Sequence, residues 1–538
     1  MSGRRVLLFG LDGYDPEIGA QMMAEGRLPT LARLLKQGLR YDLENGPARR
    51  TGLAWEHIAT GLTPEDSQRF AAVKLNPRTY EIRQFPCGRP PFAAALAVPT
   101  LVYDAPYFDL AGTANAQGIV AWGAHDPGIP MTARPASLLA EAKQRFGDYP
   151  SRRWTYAVVW PSAERTRQMA DAMVAGIEHR RKVAPWLFAE RITDWQLGYL
   201  VTSELHSGDE ALMHGWLPDH PLAGHPSAPA AREGMIRIYE ALDRFVATME
   251  AALPDVTLAL MVPHGMGVNI ADVPGMLLMA ELMHREFAGR PVFRSRSAWQ
   301  QGEVPTLAEG TRDWNTAVRL RTKFPRSARR WWRLRKRRFV RSPLGHRLGL
   351  DRPGDPHRDG WTIDWMPCNW YRDSWPKMDA FAIPAYYDAQ VRVNLAGREA
   401  KGRVALADYV KVLDRVERTL AECTDWRTGE PLRFTAHRRN VSDPHSLHPT
   451  DSDLIFELHD CTLGWRHPRH GLIGPMPMRR TGGHTGGTGL LLMVGPGLEA
   501  RHAGVASTFD VTPTIVALLG QPVPAGFSGR PLPLRPAA

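Results

Sequence analysis

Asp12, His206, Glu210, His264 and His484 are carboxylates and imidazoles that stand at or beside the ends of strand-like runs. Asp12 closes the apolar run VLLFGLDG and is followed by a glycine turn. His206 and Glu210 follow LGYLVTSE (197–204), in a polar stretch expected to be a loop that also carries Asp209 and His214. Their i, i+4 spacing puts both on one face if that stretch is helical. His264 follows VTLALMV (256–262), and His484 lies in TGGHTGG just before GLLLMVG. Carboxylate oxygen together with imidazole nitrogen suits zinc or manganese. A single histidine among glycines is usually a loop residue. Four strand ends sharing the pattern make a metal centre the stronger reading.

A hydroxyl accompanies them. In PARRTGLAWEHIATG (47–61), Trp55, Ile58 and Ala59 recur at helical spacing, Gly61 marks an end, and Thr51 stands where the helix is expected to begin. Threonine there is ordinarily a cap, but a helix start also offers N–H groups and a positive dipole end to an anion such as phosphate. Open α/β sheets bind ligands beyond the carboxyl ends of their strands. An acid ending the first strand and a hydroxyl opening a later helix therefore suggest a metal-assisted nucleophile. His125-Asp126, ending GIVAWGAHDP, reads as structural, with a place behind the metal ligands as the alternative.

The elements that must position these residues alternate. After the first strand, helices are expected from Asp15-Pro16 and over Leu31 to Leu35. Strands follow at VPTLVYD, GIVAWGAHDP, TYAVVW and LGYLVTSE, with helices at 136–146, 162–183 and 233–253. AQVRVNL, a helix near 404–423, DLIFEL, GLLLMVG and a helix opening at Asp510 continue the rhythm, whereas 62–98 looks irregular. Such alternation predicts an α/β fold with a largely parallel sheet sandwiched between helices on both faces. The pattern breaks between about 290 and 375. This divides the chain into a catalytic domain, 1–290 with 375–538, and a basic helical insertion, 291–374.

The 538 residues carry a formal charge of +11, yet thirteen Lys/Arg and no acid fall between Arg319 and Arg347, so the remainder is close to neutral. The segment 319–347 reads as a solvated helical excursion or as a docking surface for an anionic partner or membrane surface, and it lacks the pattern of a dedicated nucleic-acid module. Four widely spaced cysteines without a CxxC argue against a disulfide scaffold. No apolar run approaches a membrane span, and a cytoplasmic protein is expected.

Taken in order, the motifs resemble the type I phosphodiesterase/nucleotide pyrophosphatase branch of the alkaline phosphatase superfamily. The resemblance rests on GLDG (10–13), T-x-x-A-W-x-x-x-x-T-G (51–61), the acid/His strand end near 203–214, HGMG (264–267), RVNLAGRE (392–399), GGHTGGTGLLLMVGPG (482–497) and DVTPTIVALLG (510–520). It implies an alkaline-phosphatase-like fold, two divalent ions, normally zinc with manganese an alternative, and a phosphothreonine intermediate on Thr51. Asp12, Thr51 and His264 would hold one ion, and His484 with residues 206 and 210 the other. The implied activity is cleavage of phosphodiester or pyrophosphate bonds in small phosphate-ester substrates.

Two departures stand out. The family's Asp-His-Gly is here Pro263-His264-Gly265, and its Asp and His four residues apart are exchanged as His206 and Glu210. One carboxylate is lost, which weakens one metal site, alters its preference, or calls on an acid such as Glu204 or Asp209. A catalytically degenerate protein binding an anionic partner, or a phosphomonoesterase or phosphomutase relative, are the competing readings. Intact Thr51 argues against the first of these.

Overall fold

A computed structural model describes residues 4–125, 128–156, 162–294, 314–324, 356–439 and 441–535, with isolated positions between 325 and 355. The chain forms two compact units. One comprises Met1–Phe70, Cys87–Asn269 and Arg480–Ala538, the other Ala71–Pro86 and Ile270–Arg479. The division thus differs from the boundaries at 291 and 374 that the break in the strand and helix alternation suggests.

The first unit is built on a nine-stranded sheet. Its strands, in chain order, are β1 (Val6–Leu11), β2 (Leu39–Glu44), β3 (Thr100–Tyr103), β4 (Ala116–Val120), β5 (Thr132–Arg134), β6 (Leu197–Thr202), β7 (Thr257–His264), β8 (Thr488–Val494) and β9 (Arg501–Ser507). Their spatial order is β9-β2-β8-β7-β1-β6-β3-β4-β5. Pairing is parallel through β7-β1-β6-β3-β4 and between β2 and β9, while β8 and β5 run against their neighbours. All six residues of β1 are buried, as a continuous apolar run in a strand covered on both faces should be.

Helices α1 (Pro16–Ala24), α2 (Pro29–Gln37), α3 (Ala54–Thr60), α4 (Ala163–Pro185), α5 (Glu204–Leu212), α6 (Ala228–Ala252) and α7 (Val511–Leu518) complete the unit. Leu7, Phe9 and Leu11 of β1 share a core with Ile18, Leu34, Met173 and Phe245 from α1, α2, α4 and α6. On the opposite face, Trp55 of α3 fills the space over Gly10 so closely that a Cβ there would lie 2.3 Å from its ring. Each fully buried Leu or Phe in this core contributes about 1.5–3 kcal/mol.

The second unit carries a four-stranded antiparallel sheet of Ala380–Ile383, Ala389–Val393, Leu454–Leu458 and Phe434–Arg438. Within it, Arg392 and Arg398 of the RVNLAGRE motif form buried ion pairs with Glu399 and Asp453. Part of the stretch 62–98, which looks irregular in sequence, is a hairpin of Val73–Asn76 with Glu81–Gln84 in the same unit. The strand expected at TYAVVW and most of the basic segment 319–347 lie outside the described residues. Among the described residues, no helix is long and apolar enough to cross a membrane.

Candidate metal centre

Register brings the site together. Leu11 pairs with Thr202 and Gly10 with Met261, so the carboxyl ends of β1, β6 and β7 lie side by side. Thr488 of antiparallel β8 pairs with His264, which places the 481–487 loop at the same edge. Asp12 leaves β1 there, and its backbone carbonyl accepts the His206 N–H at 3.1 Å. That approach depends on Gly13, whose φ is +81° and where a Cβ would sit 2.2 Å from the His206 backbone.

The segment carrying His206 and Glu210 is helix α5, not the loop its polarity suggests. All nine of its residues are buried, so its polar side chains face the interior of the unit and the usual apolar periodicity is missing. Gly482 lets the 481–487 loop lie against the helix, because a Cβ there would meet the Asp209 carbonyl at 2.2 Å.

Five of the six expected residues form one chain of contacts. Asp12 Oδ2 accepts from His206 Nδ1 at 2.9 Å. His206 Nε2 is 3.3 Å from Glu210 Oε1 and 2.9 Å from His484 Nε2. The rings of His484 and His264 meet edge to face, 4.5 Å between centroids. His125 joins them unexpectedly, its ring stacked on that of His206 at 3.8 Å and its Nε2 3.8 Å from Glu210 Oε2.

These groups are suited to a cation. Burial lowers the pKa of His264 to about 4 and pushes that of His484 well below its ordinary value, so both keep a lone pair at neutral pH. Both Glu210 oxygens are buried; Oε1 is ion-paired with the Arg480 guanidinium, and Oε2 accepts no hydrogen bond. The two imidazole Nε2 atoms of His206 and His125 face Oε1 and Oε2. Carboxylate oxygen beside imidazole nitrogens is a donor set that fits a divalent ion.

The other two acids of this helix, Glu204 and Asp209, are otherwise engaged. Glu204 Oε1 accepts from Arg180 Nε at 2.5 Å and from Tyr149 at 2.7 Å, and its Oε2 from Thr202 and the Ser203 N–H. Asp209 accepts from Tyr239 at 2.9 Å, and burial pushes its pKa well above the usual carboxylate range.

Thr51 occupies a different setting from the expected helix start. It closes the 3₁₀ turn Gly46–Thr51, Gly52 follows at φ 68°, and α3 begins only at Ala54. Its hydroxyl accepts the Leu53 N–H at 3.1 Å, donates to the Ala48 carbonyl at 2.8 Å and lies 3.0 Å from His57 Nε2. The turn itself is tied to the site edge, since Asn45 Nδ2 donates to the Pro263 carbonyl at 2.7 Å and Arg49 reaches the Gly486 carbonyl at 3.5 Å.

His57 is a residue that sequence reasoning missed, the only signal being a histidine six positions after a threonine. Its Nδ1 faces the Leu62 carbonyl at 3.1 Å, so Nδ1 carries the proton and Nε2 is the acceptor turned toward Thr51. Burial lowers its pKa to about 4.

No family model and no curated protein matches the chain. Solved structures similar to it include murine ectonucleotide pyrophosphatase/phosphodiesterase 5, in an inactive form with AMP, at 12% identity over 97% of this chain and 96% of that one, with a TM-score of 0.44. The human counterpart is similar at 12% identity over 97% and 96% of the two chains, TM-score 0.42. Phosphonoacetate hydrolase from Sinorhizobium meliloti 1021, in complex with phosphonoformate, is similar at 14% identity over 96% of each chain, TM-score 0.46.

Proposed function

We propose that this protein is a divalent-metal-dependent phosphoester hydrolase, acting on phosphodiester or pyrophosphate bonds through a phosphothreonine at Thr51. The observation that carries the reading is the meeting of Asp12, His206, Glu210, His264 and His484 at one edge of the sheet, from four separate stretches of chain. Asp12, Thr51 and His264 are assigned to one ion, and His206, Glu210 and His484 to a second, with zinc or manganese matching the donor set. Such ions polarise phosphoryl oxygens and stabilise an oxyanion leaving group.

The protein's own residues supply the remainder. Thr51 Oγ attacks phosphorus, forming an O–P bond as the bond to the leaving oxygen breaks, and water then hydrolyses the phosphothreonine. His57 Nε2, 3.0 Å from that oxygen, receives the hydroxyl proton once the hydroxyl turns from the Ala48 carbonyl, and the Leu62 carbonyl holds the imidazole in the accepting tautomer. Arg49, on the same turn as Thr51, supplies positive charge toward the substrate. None of the four cysteines forms a disulfide, which supports a reducing, cytoplasmic setting.

The test is turnover of bis-p-nitrophenyl phosphate with added zinc or manganese. Wild-type activity that disappears on chelation and in Thr51→Ala is the expected result. Equal turnover by Thr51→Ala removes the nucleophile assignment.

A further inference from the structure

We propose that His125 is a direct ligand of the cation held by His206 and Glu210, adding a further imidazole to that donor set. The inference rests on the metal-dependent reading above but does not need Thr51. One ligand atom from each of His125, His206 and Glu210 lies within 4.8 Å of the other two, and all three residues are buried.

The hydrogen bonds determine which atoms point inward. Ser207 Oγ donates its only proton to the Thr155 carbonyl at 2.6 Å, so it can only accept from His125 Nδ1, 2.9 Å away. His125 therefore carries its proton on Nδ1 and turns the Nε2 lone pair toward Glu210 Oε2. His206 repeats the arrangement, with Nδ1 donating to Asp12 Oδ2 and Nε2 turned toward Glu210 Oε1. Two parallel imidazoles, each with its outer N–H held by an acceptor, turn their Nε2 atoms toward the same buried carboxylate, with His484 Nε2 2.9 Å from that of His206. Outer-shell acceptors of this kind are what orient metal-ligating histidines.

Arg480 is the competing counterion for Glu210, and in that alternative the cluster is a buried ion pair and nothing more. With His125 bound, the ion gains a neutral imidazole and no further anion, so Glu210 is the one carboxylate of this donor set. The site therefore keeps an excess positive charge that favours anionic substrates.

The experiment is titration of the full-length protein with Zn²⁺ against a chromophoric chelator, without substrate, for the wild type, His125→Ala, His125→Gln, Ser207→Ala and the control His214→Ala. Near-ultraviolet circular dichroism checks that each variant is folded. The expected result is at least a ~100-fold loss of affinity at one site in both His125 variants, a smaller loss of about 10-fold in Ser207→Ala, and no change in the control. As a readout that needs no variant, ¹¹³Cd bound to wild type should show scalar coupling to ¹⁵N-labelled His125 Nε2. Wild-type affinity in folded His125 variants, or ¹¹³Cd coupled to the other histidines and not to His125, overturns the proposal while leaving the hydrolase reading standing. A wild type that binds no ion overturns both. Bound zinc with undiminished turnover in Thr51→Ala removes only the nucleophile.

Discussion

Replacing Arg180 by methionine should destabilise the protein by about 3–5 kcal/mol at pH 8, the cost of leaving buried charge without its partner. Arg180 is fully buried on α4 and bridges two acids, donating to Glu204 at 2.5 Å and to Asp104 at 2.8 Å. Glu204 opens α5, the helix that carries His206 and Glu210. Burial pushes the Asp104 pKa up, whereas Arg180 and the hydroxyl and N–H donors outweigh burial at Glu204 and hold its pKa below the usual range. In the wild type, Glu204 thus adds stability that is present above the ordinary glutamate pKa and is lost as pH falls through its lower folded value.

Without the guanidinium both acids shift upward, the folded variant binds more protons than its unfolded chain, and its stability drops as pH rises above about 4.5. The deficit should therefore be largest at pH 8 and shrink toward pH 5. Urea unfolding followed by tryptophan fluorescence and far-ultraviolet circular dichroism, at both pH values, measures it. Adding Asp104→Asn and Glu204→Gln to Arg180→Met should recover part of the loss, since an uncharged set has nothing left to neutralise. A loss below about 1 kcal/mol, well short of what breaking a buried ion pair costs, or one that is the same at pH 5 and pH 8, would refute the argument.

Three further outcomes are expected. His57→Ala and His57→Gln should each lower turnover by about 10²–10⁴-fold, the range for a lost general base, without altering Zn²⁺ affinity; rescue by glutamine would show that the imidazole only positions Thr51. Gly13→Ala should cost about 1–3 kcal/mol, because a side chain at φ +81° is forced against the His206 backbone, and a parallel fall in Zn²⁺ affinity would report the displaced ligand. His57 and His220 both have folded pKa values lowered to about 4 by burial. Each remains neutral in the fold while the unfolded chain takes up a proton, so stability is full above pH 6.5 and falls by up to about 3 kcal/mol per histidine on the way to pH 4. His220→Gln should flatten that fall, as measured by unfolding between pH 4 and pH 7.

Much of this architecture was legible in the chain. The strands β1, β6 and β7 announce themselves as apolar runs with a polar residue just beyond, because strands buried on both faces have no exposed positions to interrupt the pattern. Helix α5 was obscured for the opposite reason. Its polar residues are buried in the interior of the unit, so Glu204 to Leu212 lacks amphipathic periodicity and reads as a polar loop. The start of α3 was displaced by three residues because Gly52 takes a left-handed conformation and Leu53 intervenes before the helix. The second unit was hidden by likeness, since its strands at 380–393 and 454–458 continue an alternation that reads as one domain. His125 was read as structural because its hydrogen bond to Ser207 and its approach to Glu210 depend on tertiary placement that spacing along the chain does not report.

The position of β8 bears on how the protein is made. It lies between β7 and β2, yet about 220 residues separate the end of β7 from its first residue. At about 5–20 residues per second, a ribosome needs roughly ten seconds to most of a minute to cover that distance. Throughout that interval the nascent chain holds two interior strands with unsatisfied flanks, both ready templates for pairing with another polypeptide. Translation that stalls before Thr488 should leave a species that requires chaperone capture, and shortening the wait should raise the yield of soluble protein.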